Sequence, residues 1–379
     1  MDDTRTRITK AIQFTNTQFA EREHMVSLIW AAFLAQFHVW LVGPPGSAKS
    51  MLIRYLAAQI TDSRYAENLM SKFTKYEQVF GPLKLSKLKQ DVYEHDTDGY
   101  LPTAHVYFAD EGGRANVAIT EAMLTVMNER FFQNGKTRAK VPTFTILSGS
   151  NTVLTDAEQA AFVDRFLAMV FCEWVRSDSA LHDLMGRGAP KVCPHTVTLG
   201  ELAKAQDEVK RIHVPDPFKD AVISVKRGLS EKGITHSTRR WLAIVSGLKA
   251  FAWMDGDASL QVHHLDHAIN MLWQRPEHRT VVEGVVGNQC NPLIAEAVKL
   301  KDRATIVLRD MPASMDEAGA FSKAGRINST LTDVLADLKK IIDSNPPART
   351  TAVRTIHRDV KSKHDEMLRM LRENSGGLV

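Results

Sequence analysis

A lysine and a serine closing a glycine-rich run, two adjacent carboxylates about sixty residues later, an amide and an arginine are the side chains whose spacing could do chemistry. The run is Gly43-Pro44-Pro45-Gly46-Ser47-Ala48-Lys49-Ser50-Met51. It follows the apolar segment Val39-Trp40-Leu41-Val42 and precedes a helical pattern, the arrangement of a phosphate-binding loop. In such a loop successive backbone N–H groups wrap the β-phosphate and the helix presents its positive end. Lys49 adds a mobile charge, and Ser50 offers a hydroxyl to Mg²⁺. The position before the lysine, usually glycine, is Ala48. Alanine costs little there provided the backbone stays near helical values.

The second acidic motif, Val106-Tyr107-Phe108-Ala109-Asp110-Glu111, ends an apolar strand with two carboxylates. Neighbouring strand residues point to opposite faces, but the chain turns at a strand end, so both can reach one site. Asp110 would hold Mg²⁺ through water, and Glu111 would orient and polarise an attacking water. A third apolar strand, Thr143 to Ser150, ends at Asn151, whose neutral amide can position that water beside the γ-phosphate. Arg165 lies too far along the chain to be assigned to its own site and is read as reaching a neighbour's nucleotide. An arginine supplied in trans makes hydrolysis depend on assembly.

These residues together resemble the MoxR branch of the AAA+ ATPases, and within it the RavA-like subgroup. The resemblance runs from about Gln18 to Arg275 and is carried by Gly43 to Ser50, Val79-Phe80-Gly81-Pro82-Leu83, Gly99-Tyr100-Leu101-Pro102, Asp110-Glu111, Asn128-Glu129-Arg130, Ser150-Asn151, Asp164-Arg165 and Ser237-Thr238-Arg239-Arg240-Trp241. Ala48 looks like this subgroup's own variant. The resemblance implies ATP and Mg²⁺ as cofactors, with Lys49 and Ser50 in the first Walker motif, Asp110 and Glu111 in the second, and Asn151 as first sensor. Arg165 resembles the arginine finger. Arg239 resembles the second sensor, an arginine of the helical lid touching the γ-phosphate, with Arg240 one residue away as the other candidate. A ring is implied, usually a hexamer, with ATP sites between subunits. One departure stands out: Gly112-Gly113 follows Glu111, where the family generally has a large apolar residue and a helix former. Two glycines inside a helix start would cost roughly 1 kcal/mol each.

Composition fits a machine of two or three domains with real cores: 379 residues, 44% hydrophobic and 24% charged, with a net charge of +4. No apolar run approaches membrane-spanning length and the first residues lack a secretory core, so membrane insertion is not expected and the expected location is cytoplasmic. Cys172, Cys193 and Cys290 have no metal-ligand spacing and read as buried small hydrophobes. His263, His264 and His267 have helical spacing, but without a fourth ligand they read as polar surface.

Residues 1–177 read as the nucleotide-binding core, 178–280 as a helical lid and 281–379 as a C-terminal helical extension. The helices between Thr4 and His38 should pack beside the nucleotide and reach adenine. Two insertions, Thr74 to Tyr100 and Phe132 to Pro142, mix aromatic and basic residues; the second carries the hairpin signal Asn134-Gly135. The resemblance turns both towards the ring's channel. Lid helices are expected over Thr198–Arg211, Asp216–Lys232 and Ser237–Trp253, the last capped by Ser237. Apolar stripes on either side of Asn345-Pro346-Pro347 predict an antiparallel helical hairpin. Residues 321–379 hold 11 Lys or Arg against 7 Asp or Glu, a balance that could bind an acidic partner or a phosphate backbone but is better explained by a solvated helical face.

The expected fold class is therefore α/β: an AAA+ phosphate-loop core with a parallel sheet, an all-helical lid and a C-terminal helical hairpin. The expected function is an ATP-hydrolysing homo-oligomeric ring that remodels a protein partner. The resemblance suggests a von Willebrand factor A domain protein as that partner. A nucleic-acid-translocating motor is the alternative, disfavoured by the absence of a zinc ribbon, a helix-turn-helix or strong basic charge. A nucleotide-gated scaffold with slow turnover is a third reading, prompted by Gly112-Gly113.

Overall fold

The structure is a computed structural model and describes residues 3–153, 160–273, 275–290, 292–311, 320–344 and 347–374. The chain divides into two compact units, Met1–Val282 and Glu283–Val379.

The first unit begins with α1 (Thr4–Gln18) and α2 (Glu23–Ala35), followed by β1 (Val39–Val42), α3 (Lys49–Ala57), β2 (Ile60–Thr61) and β3 (Tyr65–Leu69). The first insertion holds two short helices, α4 (Tyr76–Phe80) and α5 (Leu85–Leu88). Then come β4 (Val106–Asp110), α6 (Val117–Glu129), β5 (Phe131–Asn134), β6 (Thr137–Lys140), β7 (Thr145–Ser150), α7 (Ala160–Val163) and β8 (Ala168–Phe171). Five strands form one parallel sheet in the order β3-β4-β7-β1-β8. The motif-bearing strands thus lie side by side in the middle, where burial on both faces demands continuous apolar runs. Val39 to Val42 and Val106 to Ala109 meet that demand, and all are buried.

The lid follows as α8 (Asp178–Met185), β9 (Val197–Thr198), α9 (Leu199–Arg211), α10 (Asp216–Glu231), α11 (Thr238–Asp255), a 3₁₀ segment at Val262–Ala268 and α12 (Ile269–Leu272). Its helices start where side-chain oxygens can satisfy free N–H groups. Thr198 Oγ1 accepts from Glu201 N while Glu201 accepts from Thr198 N, and Ser237 Oγ accepts from Arg240 N at 3.2 Å. α11 ends at Gly256, whose φ of +87° suits glycine. α2 is buried almost all round, including Trp30 and Phe33, because sheet-side and lid helices both cover it. Gln206 of α9 seals that contact by donating to Phe33 O at 2.8 Å.

The helix α13 (His278–Cys290) leads into α14 (Pro292–Arg309), α15 (Ala320–Asp343) and α16 (Pro347–Asn374). The last three enclose a core of Ile327, Leu331, Val334, Leu338, Val353, Val360 and Met367. The expected hairpin is present as α15 and α16, but α14 packs on both, so the extension is a three-helix assembly. α14 contributes Ala297 and Ala304 to the core and packs Leu300, Val307 and Leu308 against it. Asn345 and Pro346 of the expected break lie outside the described residues.

Candidate nucleotide site

The loop between β1 and α3 owes its shape to close approaches. A Cβ on Gly43 would sit 1.9 Å from Cys172 O, and Gly46 has φ +77°. Ala48 does not stay near helical values: its φ and ψ are 67° and 20°, the left-handed region. The expectation of an inexpensive alanine is therefore corrected, since its Cβ costs about 1–2 kcal/mol in that conformation. Three contacts strap the loop from outside: Cys172 Sγ and Arg22 Nη2 both donate to Ser47 O, and Trp174 Nε1 donates to Pro45 O at 3.0 Å. Arg22 is 6% exposed and also holds Glu173 O. No sequence signal marks Arg22 or Trp174 as loop partners, because the contacts join residues 25 and 129 positions apart.

Lys49 folds its ammonium onto Gly43 O (2.6 Å), Pro44 O (3.0 Å) and Ser47 Oγ (3.3 Å). Those carbonyls hold a cation in the space the loop encloses. Ser50 Oγ donates to Asp110 Oδ2 at 3.1 Å, joining the first motif to the second. Glu111 follows in a left-handed turn (φ 53°), which swings its carboxylate out of the strand's alternation. It is paired with Arg114 Nε at 3.4 Å and its side chain is 16% exposed. Asn151 stands exposed just beyond β7, between the ends of β4 and β1.

Gly112 and Gly113 lie in a 3₁₀ turn, Gly112–Arg114, ahead of α6, which starts later and is capped by Asn116 Oδ1. The expected helix-propensity penalty therefore does not apply. Glycine is needed at 112 because a Cβ there would come 2.3 Å from buried Ser148 Oγ.

A cavity of about 430 Å³ opens beside Met51, walled by Thr17 and Gln18 at the end of α1 and by Leu184, Gly186 and Arg187 after α8. The end of α1 thus lies beside Met51 in the first turn of α3.

The three arginines converge on one carboxylate. Asp164 Oδ2 meets Arg165 Nη1 at 3.3 Å and Arg239 Nη2 at 3.2 Å, and Asp164 Oδ1 meets Arg240 Nη1 at 3.3 Å. Arg240 is 6% exposed and bonds Leu167 O and Met271 O, both at 3.1 Å. Burial lowers its pKa, and Asp164 opposes that shift. The side chain of Arg239 is 66% exposed and, among the described residues, pairs with Asp164 alone. Leu167 precedes β8 whereas Cys172, which touches Gly43, follows it. At about 3.3 Å per residue the arginine cluster lies some 16 Å down the sheet from the phosphate loop.

The insertions are tied together rather than separately solvated. Phe80 and Phe132 stack at 5.4 Å, and His95 N donates to Asn134 Oδ1 at 2.7 Å. Gly135 turns the hairpin at φ +60°, with Tyr93 O so close that a Cβ would meet it at 1.8 Å. Leu85, Leu88, Val92 and Tyr93 remain exposed.

Of the three lid histidines read as polar surface, His263 is exposed, whereas His264 is buried and His267 half-buried, which corrects that reading. His264 is fully buried; its Nδ1 accepts from Gln261 N at 2.8 Å, which leaves the proton on Nε2, 3.4 Å from Asp255 and Asp257. A protonated Nε2 has no lone pair for a metal. His267 stacks on Phe251 at 3.8 Å, and burial pushes its pKa down to about 4.

Residues 6–210 match the family model of the MoxR domain found in MoxR–vWA–β-propeller ternary systems, and 218–286 match an AAA lid domain. This chain belongs to the MoxR family of AAA+ ATPases. Two uncharacterised proteins of Methanocaldococcus jannaschii are similar to it. One is 30% identical over 88% of this chain and 91% of its own length, the other 31% identical over 79% and 78%. A presumed ATPase from Cytophaga hutchinsonii superposes with a TM-score of 0.62 at 17% identity, covering 75% of this MoxR protein and 94% of the other chain. That likeness shows the fold. None of the described helices is long and apolar enough to cross a membrane.

Proposed function

We propose that this MoxR protein is an ATP-hydrolysing ring, a hexamer, that remodels or matures a protein partner. The observation that carries the reading is the Ser50–Asp110 hydrogen bond, which puts the hydroxyl and carboxylate of two distant motifs 3.1 Å apart beside the phosphate loop. Converging oxygens of this kind suit a hard divalent cation. Ser50 and Asp110 would hold Mg²⁺, whose chemistry is to neutralise charge on the transferred phosphate. Gly43 to Met51 wrap the phosphates, and Lys49 exchanges its loop carbonyls for phosphate oxygens. The cavity beside Met51 takes the adenine, and its size lies within the range of small-ligand pockets. Glu111, oriented by Arg114, polarises the attacking water that Asn151 positions.

We infer a different assignment for the arginines. Arg239 shares Asp164 Oδ2 with Arg165, about 16 Å down the sheet from its own phosphate loop. Arg165 and Arg239 therefore serve the neighbour's nucleotide together, and Asp164 keeps the pair in position. The buried Arg240 holds the lid onto the core. The ternary-system family description supports a von Willebrand factor A domain protein as the partner. The RavA-like likeness rests on Ala48 and its neighbouring motifs.

The test is affinity capture from native lysate with the hydrolysis-blocked Glu111→Gln chain against Lys49→Ala, followed by mass spectrometry. Enrichment of a von Willebrand-type protein on Glu111→Gln alone is expected. Nuclease-sensitive enrichment of nucleic-acid proteins, or identical captures by both variants, would overturn the reading.

A further inference from the structure

The last three helices lie beyond both matched domains, which end at residue 286, and the nucleotide chemistry uses none of their side chains. Between α15 and α16 they form a groove of about 860 Å³. Its floor is apolar, from Leu335, Ala336 and Ile342. Its rim is cationic. Lys339 comes from α15, four residues after Leu335 and so on the same face, while Arg358 and Lys361 come from one face of α16. These three cations form no ion pair among the described residues. Among the described residues, Asp343 is the only carboxylate lining the groove.

His357 reports the resulting field. It lies between the helices, and its pKa is lowered first by burial and then by Lys361 and Lys339, with Asp343 opposing. Lys339, Arg358 and Lys361 thus outnumber the single carboxylate Asp343 among the described residues around this apolar surface.

We propose that this groove is a docking site for an acidic amphipathic helix of a protein partner. The apolar stripe of such a helix would cover Leu335, Ala336 and Ile342, and its flanking carboxylates would meet Lys339, Arg358 and Lys361. A phosphodiester strand fits less well. Phe321 is the only Phe, Tyr or Trp in residues 283–379, so the unit has no platform on which bases could stack. The proposal deepens the protein-partner reading and rests on it for the expectation that the ligand is a protein.

The full chain is tested by fluorescence anisotropy with three labelled probes. They are a synthetic helix of about twenty residues (long enough to hold helical structure) with a leucine stripe flanked by glutamates, the same helix with lysines, and oligo-dT. Wild type should bind the glutamate helix, and Lys339→Glu/Arg358→Glu/Lys361→Glu should weaken that binding about tenfold or more while accepting the lysine helix. ATP turnover of the triple variant without partner should equal that of wild type. Loss of ATPase in every sample would count against the hydrolase reading and leave the binding result standing. Equal glutamate-helix binding by wild type and variant, no binding by either, or tighter binding of oligo-dT would each overturn the proposal.

Discussion

Replacing Arg240 by methionine should cost stability, whereas replacing Arg239 by alanine should cost turnover. The guanidinium of Arg240 is buried and serves four acceptors: Asp164 O and Oδ1, Leu167 O and Met271 O. Methionine keeps much of the volume but leaves the Leu167 and Met271 carbonyls buried without donors, at about 1–3 kcal/mol each. The lost charge pair adds less than a fully buried one, since Asp164 is 32% exposed and keeps Arg165 and Arg239. A total of about 3–4 kcal/mol follows, near the low end for breaking a buried pair. For a unit of this size that lowers Tm by about 8 °C. Arg239 makes one contact from an exposed position, worth about 0–1 kcal/mol. Its removal should shift Tm by no more than about 2 °C while cutting steady-state ATPase about a hundredfold or more. Differential scanning calorimetry and a phosphate-release assay on the two variants decide the matter. An Arg240→Met chain with unchanged Tm and no turnover, or an Arg239→Ala chain that melts early, would refute the division of roles.

Gly112→Ala should destabilise by about 1–2 kcal/mol, because the new Cβ displaces Ser148 Oγ from its bond to Ala109 O; chemical denaturation measures it. Ala48→Gly should raise stability by about 0.5–1 kcal/mol, relief of left-handed strain exceeding the entropy of the freer unfolded chain. A lower Tm for that variant would show that Ala48 is not strained. Acid should weaken the fold through histidines held neutral. Burial, with Arg130 nearby, pushes the His38 pKa down to about 3, and burial pushes those of His236 and His267 to about 4. Their unfolded values lie near 6.5, so the unfolded chain binds more protons between those limits. The stability they contribute is full above about pH 6.5 and is lost as pH falls, by about 1.4 kcal/mol per pH unit for each group. Urea titrations between neutral and mildly acidic pH should show this slope, and His38→Asn should flatten it by about one proton.

Much of the core was legible because its signals are local. Val39 to Ser50 carries an apolar strand, a turn and a helix start in consecutive residues, and Asp110-Glu111 carries its own strand. Ser237 likewise announces α11, and Asn134-Gly135 announces the β5–β6 turn. What stayed hidden depends on partners distant in sequence. Arg22 cannot be seen to hold Ser47 until the fold brings them together. Arg239 and Arg240 are adjacent on one helix, and only their surroundings, one exposed and one buried, separate them. Gly112 looks like a weak helix start until Ser148 is seen where its Cβ would be. Ala48 misled for a related reason, since a residue type does not disclose the sign of its φ.

The central claim, ATP hydrolysis completed by arginines from a neighbouring subunit, is tested most directly by mixing inactive variants. Glu111→Gln lacks the water-polarising carboxylate but offers Arg165 and Arg239, whereas Arg165→Ala and Arg239→Ala each retain Glu111. Each should be nearly inactive alone. Mixing Glu111→Gln with either arginine variant should restore phosphate release, with a rate rising faster than protein concentration while rings assemble. Restoration with Arg165→Ala but not with Arg239→Ala would contradict the shared role of the two arginines. No restoration in either mixture, with wild-type turnover strictly proportional to protein concentration, would contradict hydrolysis between subunits altogether.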